Sequence, residues 1–436
     1  MSPITKEKEP VLYVGAGKAT IHFEPEIFPT WEGYTGIHDD PMVEVVIIEC
    51  GERFCLVNFE LISLNDEIQN FKKLINDLTG IPEENCWICV SHVLPTPHLW
   101  LEEHRKTQAD VEKNQIMLSA IRSALTSAAK TAFEHKYKAR FGIGSGSCAA
   151  NVNRCVRTDQ GWWLGCNDEG PVDHTVTVFR FDRLDGSPIA ILFNFHAQAS
   201  ILDDVYTKSG DRLVSSDLAG ASARFVEQEF GEDVVAAYLL GAGGDSAPAL
   251  KGVRTVVGKG GKRRDIAMAE EAYLLVDILG ERLGQAVVHI AERISCANLD
   301  KPLRMIHDTI TLKGQVIPPT KSITPHIEYQ YIPQADVTTP IEILKIGDAA
   351  LVGIKPEINC KTLRQIKDSS PFSETGLLTF VNGGAKYMPE SGMYDMVTYQ
   401  SMNSRFAKGS AEQFSARIIE DLNRIRTEAF DKEKTE

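Results

Sequence analysis

The sequence predicts an α/β protein with mixed β-sheets that carry α-helices on their faces. Runs of β-branched and apolar residues of strand length alternate along the chain with segments in which apolar residues recur at helical spacing. Two pairs of these runs are joined by short polar turns, as in antiparallel hairpins. No repeat or low-complexity linker divides the chain, so we expect one domain over residues 1–436 with a core from about 12 to about 428.

The elements follow in order. The first hairpin pairs 43–50 with 53–61 around Gly51-Glu52, and the second pairs 176–182 with 189–197 around a turn at 185–188. Further strands are predicted at 87–91, in the Gly-rich stretch before residue 155, in the buried run 234–244, and in four short runs after residue 300. Helices are predicted from apolar spacing at 64–78, 108–134, 217–230, 266–295, 358–368 and 409–428.

Composition excludes several classes of protein. The 436 residues carry a formal charge of −14, which argues against nucleic acid or an anionic membrane as the main partner. No apolar run approaches the roughly 18–20 residues that span a bilayer, and the polar N-terminus has no secretory apolar region. Nine scattered cysteines predict a reduced, cytoplasmic protein, and Cys86 and Cys89, on a strand, are interpreted as core residues.

Two glycine-rich motifs are possible ligand sites. The segment VGAGK at 14–18 is not a phosphate-binding loop, because position 12 is Leu where that motif needs glycine and Ala19 replaces its Ser or Thr. The segment GKGGKRRD at 258–265 is predicted to be a basic loop that opens a helix. Contact with an anion, a solvated loop, a mobile flap and an oligomer contact all remain open for it.

Four predicted strands end in a side chain that can bind a divalent metal. These are His92, His196, Glu357 and Tyr387. Each has an ordinary alternative, since a histidine there can be a hydrogen-bonded core residue and a glutamate can be a charge at a helix N-terminus. Two imidazoles, a carboxylate and a phenol would suit zinc. Their spacing in sequence does not show that they converge.

Several short segments, in this order, resemble the neutral/alkaline (non-lysosomal) ceramidase family of zinc-dependent amidohydrolases. They are VGAGKATI, VSHVLPTP, NVNR, GPVDHTVTVFRFDRLDGSPIAILFNFHA, SSDLAG, LLGAGGDSAP, GIKPEI and NGGAKY, and they run from about residue 12 to about 415. The resemblance implies the fold of the ceramidase catalytic domain in a short, bacterial-type form. Neither the C-terminal immunoglobulin-like domain nor the signal peptide of the secreted enzymes is expected here.

The resemblance also implies roles for individual residues. The family's zinc ligands fall on the four strand-end residues named above. Arg154, in NVNR, corresponds to an arginine of the substrate site, Tyr399 to a tyrosine that stabilises the reacting oxygen, and Tyr394 to a tyrosine between the two. Leu94 stands where the family has a second histidine, and Ala247 stands where it has a serine, with Ser246 beside it.

These residues predict a zinc-dependent hydrolase that cleaves a C–N amide bond with a metal-activated water. His98 and Asp245 are the candidates for the general base, and Asp245 is alternatively a group that orients a ligand histidine. The residues that differ from the family's substrate site favour a small amide or lactam over ceramide. Trp162-Trp163 is predicted to lie in a loop that either forms an aromatic wall over the substrate or packs on a hairpin.

Alternatives to this function are a zinc-dependent esterase or lactonase and a non-catalytic relative that binds a metal or small ligand. The expected partner is a small-molecule amide, lactam or ester. No nucleic acid is expected, and a homo-oligomer is left open.

Overall fold

The structure is a computed structural model that describes residues 10–100 and 105–434, with side chains as far as residue 427. Its strands are β1 (Tyr13–Thr20), β2 (Tyr34–Ile37), β3 (Met42–Cys50), β4 (Glu52–Phe59), β5 (Cys86–Val90), β6 (Lys136–Ser147), β7 (Asn151–Thr158), β8 (Gly161–Asn167), β9 (Thr175–Arg183), β10 (Pro188–Phe195), β11 (Arg212–Val214), β12 (Val235–Leu240), β13 (Ser246–Pro248), β14 (Val253–Val257), β15 (Arg263–Ala267), β16 (Arg304–Gln315), β17 (Pro333–Ile346), β18 (Ala349–Ile354), β19 (Glu357–Ile358), β20 (Glu374–Leu378) and β21 (Tyr387–Met388). Its α-helices are α1 (Ile68–Thr79), α2 (Gln108–Glu134), α3 (Asp217–Phe230), α4 (Tyr273–Ala291), α5 (Cys360–Asp368), α6 (Ser391–Asp395), α7 (Tyr399–Met402) and α8 (Ser410–Lys434).

The larger sheet has eight strands in the order β12-β10-β9-β6-β1-β3-β4-β5. Both predicted hairpins, β3–β4 and β9–β10, are antiparallel and lie inside it, while β5 and β12 close its two edges in parallel with their neighbours. A second sheet has the order β16-β17-β18-β20. The sheets are therefore mixed, as predicted.

The two sheets and their helices form four layers. On one face of the large sheet α1 and α2 cover the β3–β5 end and α3 and α4 cover the β9–β12 end. Its other face packs on the second sheet, through residues such as Trp87, Leu192 and Leu351. The second sheet buries its outer face under α5 and α8. Period-2 alternation explains this, because Val45 and Ile47 face the helices while Val46 and Ile48 face the other sheet.

Small two- and three-stranded pieces lie beside the large sheets. They are β13-β7-β8, β14-β15, β19-β21 and β11-β2. The pair β19–β21 is parallel, with Glu357 opposite Tyr387. Three of the predicted site residues, Arg154, Glu357 and Tyr387, lie in these pieces.

Three predictions about local structure are wrong in detail. The helix predicted over 266–295 begins at Tyr273, and GKGGKRRD is the tip of the β14–β15 hairpin instead of a helix-opening loop. Gly260 and Gly261 have φ of 73° and 78°, a left-handed backbone that allows the chain to reverse there. Trp162 and Trp163 lie in strand β8, not in a loop.

Within residues 10–100 and 105–434, no helix is long and apolar enough to cross a membrane. All nine cysteines are free, and Cys86 and Cys89 are buried in strand β5, as the sequence analysis predicts.

Candidate active site

His92 follows the last residues of β5 and turns the chain away from the sheet. Its φ of 52° is in the left-handed region, which a non-glycine residue seldom adopts without compensating contacts. Its Nδ1–H donates to the carbonyl oxygen of Ile62 at 2.8 Å, and its ring lies 4.4 Å from that of Phe380. Because Nδ1 carries the proton, the Nε2 lone pair is free. Burial lowers the pKa of His92, so the ring is neutral.

The Glu357 carboxylate lies close to His92 Nε2. His92 Nε2 and Glu357 Oε1 are 3.9 Å apart, and the Glu357 side chain is only 3% exposed. Tyr387 stands beside Glu357 in the parallel β19–β21 pair, so the two side chains project from the same face. The structure thus brings together three of the four predicted metal ligands.

Gln198 occupies the position next to Glu357, and it is not among the residues predicted from the sequence. Its Nε2 donates to Glu357 Oε2 at 2.5 Å, and its Oε1 accepts from Arg154 Nη1 at 2.8 Å. The amide therefore separates a buried cation from a buried carboxylate. Its only signal in the sequence is its place two residues after His196, where strand β10 has ended.

Arg154, on β7, is buried without a carboxylate partner among the described residues. Its Nε and Nη2 donate to the carbonyl oxygen of Gly244 at 3.1 and 2.7 Å, and its guanidinium lies 5.4 Å from the ring centre of Tyr387. Burial opposes its charge, but Tyr387 and Glu357 raise its pKa above the usual value. The site therefore contains a fixed positive charge that is held by neutral hydrogen-bond acceptors and attracted by the nearby Glu357 carboxylate.

The carbonyl that holds Arg154 requires a glycine. A Cβ on Gly244 would lie 2.7 Å from the carbonyl oxygen of Ile358, which is too close for any other residue. The same Gly244 oxygen accepts a third hydrogen bond, from Gln400 Nε2 at 2.9 Å. Close packing of three chain segments thus sets where the guanidinium lies.

Tyr399 extends the site outward from Tyr387. The two rings are 5.9 Å apart, and Trp163 packs edge-on against Tyr399 at 5.5 Å. Asn403 Nδ2 donates to the Tyr399 hydroxyl oxygen at 3.0 Å, which leaves the hydroxyl proton free to be donated elsewhere. Burial raises the pKa of both tyrosines, so both phenols are protonated.

His196 is buried, but its ring is not part of this group. Its Nδ1 accepts the N–H of Ala242 at 3.2 Å, so the neutral ring carries its proton on Nε2, and Nε2 has no hydrogen-bond partner among the described residues. Burial lowers the pKa of His196 to about 3, and the charges that act on it are those of Lys367 and Asp173, not that of Glu357.

The two candidate general bases face other partners. The Nδ1–H of His98 donates to Glu32 Oε1 at 3.0 Å, and His98 lies near enough to His92 to lower the pKa of that ring. Asp245 accepts the N–H and the Sγ–H of Cys360 at 2.9 and 3.3 Å. Burial raises the pKa of Asp245 to about 6. Asp245 orients the start of α5 and no ligand histidine.

Some of the predicted ligand side chains are arranged in a way that suits a metal ion, and others are not. Among residues 10–100 and 105–434, no three His, Cys, Asp or Glu side chains are grouped closely enough to hold one. The free Nε2 of His92, the Glu357 carboxylate and the Tyr387 phenol do fit, because three protein ligands and an open position are usual for catalytic zinc. His196 does not fit through Nε2, since that atom carries the proton. Its role as a ligand stays a prediction.

Comparison with known proteins identifies the fold. No protein-family model and no curated protein matches the chain. Among solved structures, it is similar to neutral ceramidase from Pseudomonas aeruginosa, with a TM-score of 0.72 and 15% identity over 97% of this chain and 75% of that one. A ceramidase complexed with C2 gives a TM-score of 0.72 and 14% identity over 96% and 76%. The predicted ceramidase-like fold is confirmed.

Proposed function

We propose that this protein hydrolyses a C–N amide bond in a small molecule. The observation that supports the proposal best is the buried group around Glu357, in which His92 and Gln198 face one carboxylate and Tyr387 is its neighbour across the β19–β21 pair. A free imidazole lone pair, a carboxylate, two protonated phenols and a guanidinium that forms no salt bridge with the described residues are groups that amide hydrolysis can use. We further propose that residues 12–428 act as one catalytic domain.

Arg154 and Tyr399 are the proposed hydrogen-bond donors to the oxygen that becomes negative when the amide carbonyl is attacked. Arg154 is already charged and held by Gly244, so it needs no reorganisation during the reaction. Tyr399 has its hydroxyl proton free because Asn403 fills its acceptor position. Donors of this kind contribute about 2–4 kcal/mol each to transition-state stabilisation.

His92, Glu357 and Tyr387 are the residues that would hold a zinc ion. His196, the fourth ligand that the resemblance implies, offers no free lone pair at Nε2 in the hydrogen-bonded arrangement described above. Such an ion, when bound, lowers the pKa of a coordinated water toward about 7 and polarises a carbonyl. Ile62 fixes the tautomer that His92 needs for this role, and Gln198 fixes the orientation of the Glu357 carboxylate.

His98 remains the proposed general base, through its pair with Glu32. The Glu32 side chain is only 10% exposed and its carboxylate accepts two hydrogen bonds from His98, so it can orient the imidazole. Asp245 is not proposed as a base, because both of its oxygens accept hydrogen bonds from Cys360. We assign it the role of holding α5.

The test combines metal content with a substrate panel. Purified protein is assayed for zinc and for hydrolysis of small amides, lactams, esters and lactones, with and without a chelator. We expect about one zinc per chain, chelator-sensitive release of amine, and loss of both in His92→Ala and Glu357→Gln. The matched control is His307→Ala, which breaks another His–Glu pair, with Glu342 at 2.5 Å, at an exposed position on strand β16.

The panel separates the proposed activity from its alternatives. Turnover of esters or lactones without amides would assign a zinc-dependent esterase or lactonase. Absence of turnover and of zinc after reconstitution would contradict the catalytic proposal. A non-catalytic ligand-binding relative would then be favoured.

A further inference from the structure

The basic β14–β15 hairpin carries an unbalanced positive charge in an acidic protein. Its cations Arg254, Lys259, Lys262, Arg263 and Arg264 are all exposed. None of them forms an ion pair or a side-chain hydrogen bond with any residue that the structure describes, whereas the chain as a whole carries a formal charge of −14. A local positive field on such a surface attracts anions selectively.

One of these cations, Arg263, contacts an aromatic residue next to the candidate site. Arg263 lies over the indole ring of Trp163, with Cζ 5.8 Å from the ring centre. In this cation–π contact the face of the guanidinium is covered while its N–H edge stays available to an anion. The hairpin is held in place by the backbone, since Asp159 N donates to the carbonyl oxygen of Gly261 at 3.0 Å.

A row of rings joins Arg263 to the reacting groups. Trp163 packs edge-on against Tyr399, with an interplanar angle of 84°, and Tyr399 packs against Tyr387, which is opposite Glu357. Exposure increases along the row, from 8% for Tyr387 through the half-buried Tyr399 and Trp163 to the exposed Arg263. The row therefore connects the site, ring by ring, to a cation at the surface.

We propose that the substrate is an amide with an anionic group, a carboxylate or a phosphate, at the end away from the scissile bond, and that Arg263 binds this group. The apolar part of the molecule lies along Trp163 and Tyr399. The inference rests on the proposed hydrolysis only in describing the ligand as a substrate. The binding itself does not require turnover.

Strand register provides a matched control. Arg263 lies opposite Val257 and Arg264 lies opposite Val256, so the two side chains project from opposite faces of the hairpin. Arg263 contacts Trp163, and Arg264 lies on the face away from it. Arg263→Gln and Arg264→Gln change the net charge equally and differ only in this position.

The experiment measures binding by calorimetry. The probes are methylamides of straight-chain acids of increasing length that end in a carboxylate, a phosphate or a neutral hydroxyl. We expect the wild type to bind one or both anionic series more tightly than the neutral one, and the difference to shrink as salt is raised. Arg263→Gln should weaken anionic binding about three- to fivefold and leave the neutral series unchanged, while Arg264→Gln stays within about twofold of the wild type.

The outcomes are distinct. A preference for carboxylate or for phosphate identifies which anion the substrate carries. Equal binding of charged and neutral probes, no binding of any probe, or equal effects of the two arginine variants would each overturn the proposal. Binding to phosphatidylserine vesicles without preference among the probes would also overturn the proposal, because the hairpin would then be a membrane-binding surface. The same titrations on His92→Ala show whether anion binding survives when hydrolysis fails.

Discussion

Gln198 donates to Glu357 through a 2.5 Å hydrogen bond and at the same time accepts one from Arg154. The guanidinium and the carboxylate are thereby held on opposite sides of one neutral amide. The amide thus keeps Glu357 free to face His92 and keeps Arg154 free to face a substrate oxygen.

Replacing Gln198 tests this separation. In Gln198→Ala we expect Arg154 to pair with Glu357, with hydrolysis or metal affinity reduced about 10- to 100-fold, as for other groups that orient a ligand. Steady-state kinetics and metal titration measure the two quantities. Gln365→Ala, at an exposed position on α5, is the control. Unchanged values in Gln198→Ala would show that the bridge has no functional role.

Tyr399 is expected to act mainly on the transition state. Tyr399→Phe removes the donor hydroxyl and keeps the ring that packs on Trp163 and Tyr387. We expect kcat to fall about 10²- to 10³-fold with little change in KM. Tyr206→Phe, at a side chain that is 48% exposed, should behave like the wild type. A rise in KM alone would instead assign Tyr399 to ground-state binding.

Asp245 should affect stability and its pH dependence but not the chemistry. Its pKa is about 6 in the folded protein and about 4 when unfolded, so its contribution to stability is full below about pH 4 and is lost as pH rises through about 6. The difference in unfolding free energy between wild type and Asp245→Asn should therefore fall by up to about 3 kcal/mol over this range.

Urea unfolding at a series of pH values measures this difference. Asparagine can still accept the Cys360 N–H, so the variant should fold and keep its activity within about threefold. A large loss of turnover with unchanged stability would mean that Asp245 is the general base after all.

His196 gives the clearest contrast between sequence and structure. In the structure its Nδ1 accepts the Ala242 N–H, so we expect His196→Gln to retain zinc and to unfold with a free energy lower by about 1–3 kcal/mol. Metal analysis and urea unfolding provide the two readouts, with Glu357→Gln as the variant that loses metal. Loss of zinc at unchanged stability would establish His196 as the fourth ligand.

The fold and much of the site could be predicted because local patterns determine them. The long apolar helix α2, both hairpins and the strand ends at His92 and Glu357 follow from periodicity and from proline and glycine positions. The resemblance added Arg154 and Tyr399, and the structure places both beside Tyr387.

What could not be predicted is the direction of side chains where a strand ends. Beyond Phe195 the chain leaves the sheet, alternation no longer applies, and Gln198 instead of His196 meets Glu357. Likewise the basic motif at 258–265 has turn residues that suit either a helix-opening loop or a hairpin. Only its pairing with 253–257 decides between them.

The four-layer packing has a consequence for how the protein folds. Residues 92, 154, 198, 357, 387 and 399 come from segments spread over some three hundred positions, so no contiguous fragment holds the whole site. Closing such long loops is entropically costly and slows folding. We therefore expect nascent chains to hold a finished large sheet, which ends with β12, before β18 and β19 arrive to pack on it. Ligand binding would thus appear as the last event of refolding, later than the recovery of secondary structure.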